Sequence, residues 1–336
     1  MEVPDYVLPE QAVAQAPAER RDAARLLDAL EPERPPVDRT VADLADLLGP
    51  GDVVVVNDSR VIPARLRLRK ATGGAAEVLL LEPDGPDPAG RVWKGLVRPG
   101  RRLPPGTPLY GAAGAGPPVA EVGDRLGPDG QRRVLLLDDP AKVMEGCGEL
   151  ALPPYIHRPL GDPGRYQTVY AARPGSVAAP TAGLHLTPDL LDRIGARGAT
   201  VTRVDLQVGL ATFQPVASDR AEDHVIHRER YAVPPETWDA CRQARRVVAI
   251  GTTTVRALES AAATGDLAGS SDLYIRPGFP FSVVDVLLTN FHMPRSTLLL
   301  LLEAFCGPRW RDLYAAALQR GYRFLSFGDA MIVGRR

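Results

Sequence analysis

The sequence predicts an α/β domain carrying an inserted small antiparallel β-barrel. Three observations predict it. The β-branched run Val53–Val56 and the apolar run Val247–Ile250 each open directly into polar residues, the pattern of sheet strands buried on both faces. Between about 65 and 150 no helical spacing appears. Short apolar runs (Val78–Leu81, Val92–Val97, Val119–Val122, Val134–Leu137) alternate there with Gly/Pro-rich turns, as in a small barrel. From about 151 the helix–strand alternation returns. The expected domains are therefore 1–64 with 151–336, a discontinuous α/β catalytic domain, and 65–150, the inserted barrel.

Along the chain, Ala23, Leu26, Leu27 and Leu30 recur at helical spacing among charges and predict an amphipathic helix over 18–30, ended by Pro32, Pro35 and Pro36. A short helix is expected at Val41–Leu48, stopped by Gly49-Pro50-Gly51. The Val53–Val56 strand runs into Asn57-Asp58-Ser59-Arg60, at the end of a strand where open α/β sheets hold ligands. Further expected elements are strands 200–208, 247–251 and 283–289, helices 235–246, 254–263, 296–305 and 309–320, and a last strand near 323–326.

Composition narrows the class. With 45% hydrophobic and 24% charged residues and a net charge of −1, the chain reads as a soluble globular protein. The 32 glycines and 33 prolines point to many turns. Three scattered cysteines fit neither a disulfide framework nor a CxxC metal site and read as thiols in a reducing cytoplasm. The broken, acidic N-terminus is no signal peptide, and no apolar run is long enough to span a membrane. Arginine supplies 37 of the 40 basic residues, through coding bias or because some guanidinium groups grip phosphate or carboxylate.

Several motifs invite chemistry. The glycines at 111, 114 and 116 lack dinucleotide-loop spacing and run into Pro117-Pro118, so they read as a turn. His224 and His227 are spaced HxxH without a clear third ligand, so hydrogen bonding fits them better than metal. Arg65, Arg67 and Arg69 alternate with Leu66 and Leu68, which places the three on one strand face, either solvated or tracking an anionic backbone. Gly251-Thr252-Thr253-Thr254 opens a helix with Arg256 in its first turn, a ready anion site beyond what capping needs. Asn290 and His292 sit in a polar loop between a buried strand and an apolar helix. The small residues from Gly175 to Gly183, ending at His185, let a backbone approach a ligand closely.

These blocks together resemble the S-adenosylmethionine:tRNA ribosyltransferase-isomerase family of queuosine biosynthesis. The resemblance runs through Asp5-Tyr6 with Leu8-Pro9, Val56–Arg65, Leu152–Ile156, Tyr166–Tyr170, Gly175–His185, Gly251–Ser260, Leu287–His292 with Pro294 and Ser296–Leu298, Tyr322–Phe324 and Gly328–Met331. It implies an α/β domain with an inserted barrel. It also implies transfer and isomerisation of the ribosyl part of S-adenosylmethionine onto the 7-aminomethyl-7-deazaguanine base at a tRNA wobble position, giving epoxyqueuosine with release of adenine and methionine. S-adenosylmethionine would be consumed as a substrate, with no metal and no other cofactor. The partner would be a tRNA with a GUN-type anticodon, and the protein a cytoplasmic monomer. His185, His292 and Asp58 would be catalytic. Asn57, Arg60, Arg65, Tyr155, Tyr166, Gln167, Ser176, Thr181, Gln207, Thr252, Thr253, Arg256 and Asn290 would contact S-adenosylmethionine or tRNA.

Three departures stand out. Gln207 and Ala211 replace a histidine and a glycine of the family pattern, and Leu186 replaces a phenylalanine. Gln207 can exchange hydrogen bonds but cannot work as an imidazole. Two alternatives follow: a paralogue passing the pentosyl group to a small molecule, and a catalytically silent RNA-binding relative.

Overall fold

A computed structural model describes residues 2–112, 114, 116–127, 130–209, 220–224, 226 and 228–336. In chain order its strands begin with β1 (Arg25–Ala29), β2 (Val37–Thr40), β3 (Asp52–Asn57) and β4 (Ser59–Val61). There follow β5 (Arg65–Lys70), β6 (Ala75–Pro83), β7 (Val92–Arg98), β8 (Thr107–Tyr110), β9 (Ala120–Arg125), β10 (Gln131–Leu136) and β11 (Gly148–Glu149). The rest are β12 (Arg173–Ser176), β13 (Thr200–Leu206), β14 (Glu229–Ala232), β15 (Arg246–Ile250), β16 (Ala268–Ser271), β17 (Val286–Asn290) and β18 (Ala330–Gly334). The α-helices are α1 (Pro140–Cys147), α2 (Pro188–Ala196), α3 (Pro235–Gln243), α4 (Thr252–Thr264), α5 (Thr297–Cys306) and α6 (Trp310–Gln319).

The chain forms two compact units. One comprises Met1–Arg60, Pro153–Arg173 and Ala179–Arg336; the other comprises Val61–Leu152 with Pro174–Ala178. The first holds a mixed sheet in the order β16-β14-β13-β3-β15-β17-β18-β1-β2. Within it β13, β3, β15 and β17 run parallel, so their carboxyl ends share one edge. Every residue of β3 is buried, as expected of a central strand covered on both faces. One face carries a core that includes Val54, Val56, Ile250 and Leu288 under Leu190 and Ile194 of α2.

The second unit is a closed antiparallel barrel. Its strands follow the order β5-β6-β7-β10-β9-β8, and β8 pairs back onto β5 to remove the open edge. Leu66 and Leu68 point into the barrel core. The intervening arginines find local partners: Arg67 pairs with Glu77 and with Glu149 (Nη2 to Oε1, 2.6 Å), and Arg69 donates to the carbonyls of Ala112 and Gly73. Of the two readings of that alternation, the solvated face accounts for Arg67 and Arg69.

Three expectations fail in the element details, and the short helix expected at 41–48 forms in 3-10 geometry. Residues 25–29 form a strand, preceded within the expected helix by a 3-10 turn at Arg21–Ala23. Leu26 and Leu27 are both fully buried because β1 lies between β18 and β2, so the helical spacing was incidental in a short apolar run. The last strand is Ala330–Gly334, not 323–326. The segment taken to lack helices contains α1, whose N-cap Asp139 accepts from the backbone N–H groups of Ala141 and Lys142. Residues 41–47 wind as a 3-10 helix with a Thr40–Asp43 capping box.

Candidate active site

The four parallel strands deliver polar residues to one edge. β13 brings Asp205 and Gln207, β3 brings Asn57 and Asp58, β15 leads to Gly251 and Thr252, and β17 ends in Asn290 two residues before His292. Gly251 turns the chain at φ +90°, a backbone state that favours glycine, and so starts α4 immediately after the strand.

Asn57 lies at the centre of this edge with no exposed surface. Its Nδ2 donates to the Leu206 carbonyl at 2.9 Å, and its Oδ1 accepts from Leu206 N at 3.0 Å and Ser59 N at 3.2 Å. It therefore locks the ends of β3 and β13 together, with a longer 3.3 Å contact to Thr253 Oγ1. Asp58 and Asp205 sit beside it, both buried, each with an Oδ1 that has no hydrogen-bond partner. Burial raises the pKa of both. Asp205 is pushed up to about 6 by burial and by the neighbouring Asp58, against the opposing pull of Arg173 and Gln207.

Asn290 Nδ2 lies 3.1 Å from His185 Nε2 and also donates to the carbonyls of Leu325 and Asp329. Carbonyls only accept, so the amide orientation is fixed and His185 Nε2 is the acceptor. Asn290 Oδ1 is buried and unpartnered. His292 Nε2 is 3.0 Å from Thr289 Oγ1; its backbone N donates to Tyr314 OH and its carbonyl accepts from Tyr6 OH. Burial lowers the pKa of His185 to about 4 and of His292 to about 3, so both imidazoles are neutral at neutral pH. They can accept or donate a hydrogen bond but do not offer an imidazolium proton.

A small cleft opens over this region and is lined by Tyr155, Thr181, Asn290, His292, Ser296 and Ser326, among others. Tyr155 OH bonds Ser326 Oγ at 2.7 Å. Thr181 and His185 belong to a 3-10 turn (Thr181–His185) in which a Cβ on Gly183 would collide with the Tyr170 hydroxyl. Arg256, the fifth residue of α4, pairs with buried Glu229 and keeps Nε and Nη2 unpartnered; Gly209 N also donates to Glu229. Thr252 and Thr253 occupy the first two positions of that helix.

The remaining predicted residues are more dispersed. Tyr166 is fully buried and packs edge-on against Phe327, with Gln167 next to it at the end of a 3-10 turn. Arg60 is exposed. Arg65 and Ser176 belong to the barrel unit, where Ser176 Oγ donates to the Ala178 carbonyl. His224 stacks edge-on with Tyr274, while His227 and Ala211 lie outside the described residues. Among the described residues no group of three or more His, Cys, Asp or Glu could hold a metal ion, and no helix is long and apolar enough to cross a membrane.

Sequence reasoning missed Asp205. Its signal was an acidic residue enclosed by apolar neighbours, Val204 and Leu206, at the end of a strand that also carries Gln207.

Residues 2–333 match the family described as queuosine biosynthesis protein. The S-adenosylmethionine:tRNA ribosyltransferase-isomerase of Rubrobacter xylanophilus is 48% identical over 330 residues, covering 98% of this chain and 96% of that protein. The protein of the same name from Thermus thermophilus is 46% identical, covering 99% of each chain. The crystal structure of S-adenosylmethionine tRNA ribosyltransferase from Thermotoga maritima is similar with a TM-score of 0.55 at 35% identity, covering 98% of this chain and 99% of that one. Matched to that family over residues 2–333, the chain belongs to the queuosine biosynthesis protein family.

Proposed function

We propose that this chain is an S-adenosylmethionine:tRNA ribosyltransferase-isomerase, a transferase and isomerase of tRNA modification. It moves the ribosyl part of S-adenosylmethionine onto the 7-aminomethyl-7-deazaguanine base of tRNA and rebuilds it to epoxyqueuosine, releasing adenine and methionine. The observation that carries the reading is the set of buried, unpartnered polar atoms at one sheet edge: Asp58 Oδ1, Asp205 Oδ1, Asn290 Oδ1 and Arg256 Nη2. Folded proteins rarely leave such atoms unsatisfied without a ligand-binding purpose. The small-molecule and silent-binding alternatives raised by Gln207 and Ala211 are not favoured by the comparisons, since relatives at 46–48% identity carry the transferase-isomerase name.

The residues divide the chemistry as follows. The start of α4, with Thr252, Thr253 and Arg256, offers backbone N–H groups and a guanidinium to the methionine carboxylate. The sulfonium acidifies the ribose 5′ carbon, so a modest base suffices to begin the rearrangement. His185, His292 and Asp58 supply the groups for that proton and for hydrogen bonds to the departing adenine, and neutral imidazoles suit the acceptor role. Asn290 offers Oδ1 to a donor on the substrate. Tyr155, Thr181, Tyr166, Gln167, Ser176 and Gln207 each contact S-adenosylmethionine or tRNA, and Asn57 holds the strand ends in place. Arg60 and Arg65 meet tRNA phosphates.

The same reading makes 1–64 with 151–336 the catalytic domain and 65–150 the inserted barrel. It takes S-adenosylmethionine as the one small-molecule requirement, a GUN-anticodon tRNA as partner, and a cytoplasmic monomer as the working state. The test is incubation with S-adenosylmethionine, with and without tRNA carrying the aminomethyl base. Adenine release that depends on that tRNA, with epoxyqueuosine in the nucleoside digest, is the expected result; adenine release indifferent to the tRNA refutes the acceptor assignment.

A further inference from the structure

Asp58 and Asp205 occupy neighbouring positions at the ends of two parallel strands. Asn57 lies opposite Val204 in the register, and Asp58 N donates to the Val204 carbonyl at 2.9 Å, which fixes both carboxyl-bearing residues at the same edge. Asp58 is 3% exposed and Asp205 8%, yet each keeps an oxygen with no hydrogen-bond partner. The charged and titratable groups around them are Arg173, whose Nε lies 3.8 Å from Asp58 Oδ2, with Arg203 and Tyr170; the Gln207 amide lies beside Asp205. The Arg173 side chain is 45% exposed, so water screens its attraction and it does not complete either carboxylate.

Two buried carboxylates with open lone pairs are costly to maintain and repel each other. A neutral donor would relieve only the hydrogen-bonding deficit. A cation with several N–H donors would relieve the hydrogen-bonding and the charge deficit together, and a primary ammonium, with three donors on one atom, can bond both carboxylates at once.

We propose that Asp58 and Asp205 together form the seat for a primary ammonium group of the substrate. The inference rests on the ribosyl-transfer reading, under which two substrates carry such a group: S-adenosylmethionine on its methionine portion and the deazaguanine base on its aminomethyl arm. The seat recognises the chemistry they share, and experiment separates the two sources.

The test uses the full chain and the variants Asp58→Asn and Asp205→Asn, which keep shape and remove charge. Melting temperature serves as the folding control, and Asp205→Ser replaces any variant that does not fold. Binding of S-adenosylmethionine and of its analogue lacking the α-amino group is followed by calorimetry. Adenine release is measured against the concentration of tRNA carrying the aminomethyl base.

If the seat holds the methionine ammonium, the Asn variants weaken S-adenosylmethionine binding at least tenfold, and the deaminated analogue binds wild type and variants alike. If it holds the acceptor amine, S-adenosylmethionine binding is unchanged and kcat/KM for the tRNA falls at least tenfold in Asp205→Asn, a residue with no part in the proton transfer, with the acid limb of its pH profile displaced. A structural role would produce neither the analogue insensitivity nor the displaced limb. Variants within twofold of wild type in both arms, with the wild-type pH profile, overturn the proposal. Should the wild type bind S-adenosylmethionine but release no adenine with any tRNA, the ribosyl-transfer reading falls, while the binding arm still decides the ammonium seat.

Discussion

Replacing Asn57 by alanine tests whether the residue is a clamp for the active-site edge or a group that touches substrate. The side chain accepts from the backbone N–H groups of Leu206 and Ser59 and donates to the Leu206 carbonyl, all in a region with no exposed surface. Truncation strands three buried backbone groups. At about 1 kcal/mol for each lost bond, and about 1 kcal/mol more for the space left behind, the variant loses roughly 4 kcal/mol. For a unit of this size 1 kcal/mol moves the melting temperature by about 2–4 °C, so calorimetry should show a drop of roughly 10 °C. Asn57→Asp keeps the acceptor but turns a carboxylate toward the Leu206 carbonyl and the two neighbouring aspartates. It should be destabilised most at alkaline pH and partly recover on acidification. A melting temperature within 2 °C of wild type for Asn57→Ala, together with weakened S-adenosylmethionine binding, would refute the clamp and make Asn57 a ligand group.

Glu259 is fully buried on α4 and accepts from the backbone N–H groups of Ser282, Val283 and Val284 and from the Ser282 hydroxyl. Glu259→Ala should lose about 4 kcal/mol, seen as a lower urea midpoint. Tyr6→Phe removes the 2.6 Å bond to the His292 carbonyl but keeps the ring contacts with Trp310 and Tyr314; a loss of about 1 kcal/mol in denaturant titration is expected, with a lower turnover rate. Acid sensitivity has opposing contributions. His185 and His292 stay neutral in the fold, so their contribution is full above the ordinary histidine pKa of about 6.5 and falls by about 1.4 kcal/mol per pH unit for each as pH drops toward their folded values. Asp205 acts the other way: the fold takes up its proton first, near pH 6, and gains stability as pH falls from there toward about 4. Asp205→Asn should therefore show a steeper acid loss of stability than wild type between pH 6 and 4 in chemical denaturation, and an unchanged slope would contradict the raised Asp205.

How much was legible in the sequence depended on the scale of the signal. β3 was readable because four consecutive valines buried on both faces can be little else, and the polar residues behind them marked the strand end. The glycine before α4 and the threonines that open it were readable for the same reason. β1 was not, because Leu26 and Leu27 serve opposite faces of one strand while their spacing from Ala23 and Leu30 imitates a helix. Asp205 escaped notice because one carboxylate in a strand of mixed polarity carries no periodic signature; only the register with β3 brings it to Asp58. The role of Asn57 was likewise invisible, since a residue that bonds backbone across 149 positions looks in sequence like any polar residue at a strand end.

Clustering, rather than the mere existence of unsatisfied atoms, separates the candidate site from ordinary imperfection. Trp310 Nε1 is also buried without a partner, but it stands in an aromatic cluster with Tyr6 and Tyr314, where ring packing offsets one lost bond. Asp58, Asp205 and Asn290 have no such compensation: two are carboxylates, and all three issue from the carboxyl ends of strands in one parallel set. A sequence selected for stability alone would replace Asp58 and Asp205 with neutral residues of similar shape, because removing a buried, incompletely paired charge relieves its desolvation cost. That the fold retains them is the expected mark of a site organised for a ligand. The trade is measurable in Asp205→Asn, which at neutral pH should melt no lower than wild type while losing function; a large drop in melting temperature would mean that the carboxylate is a structural partner and that its open oxygen has been misread.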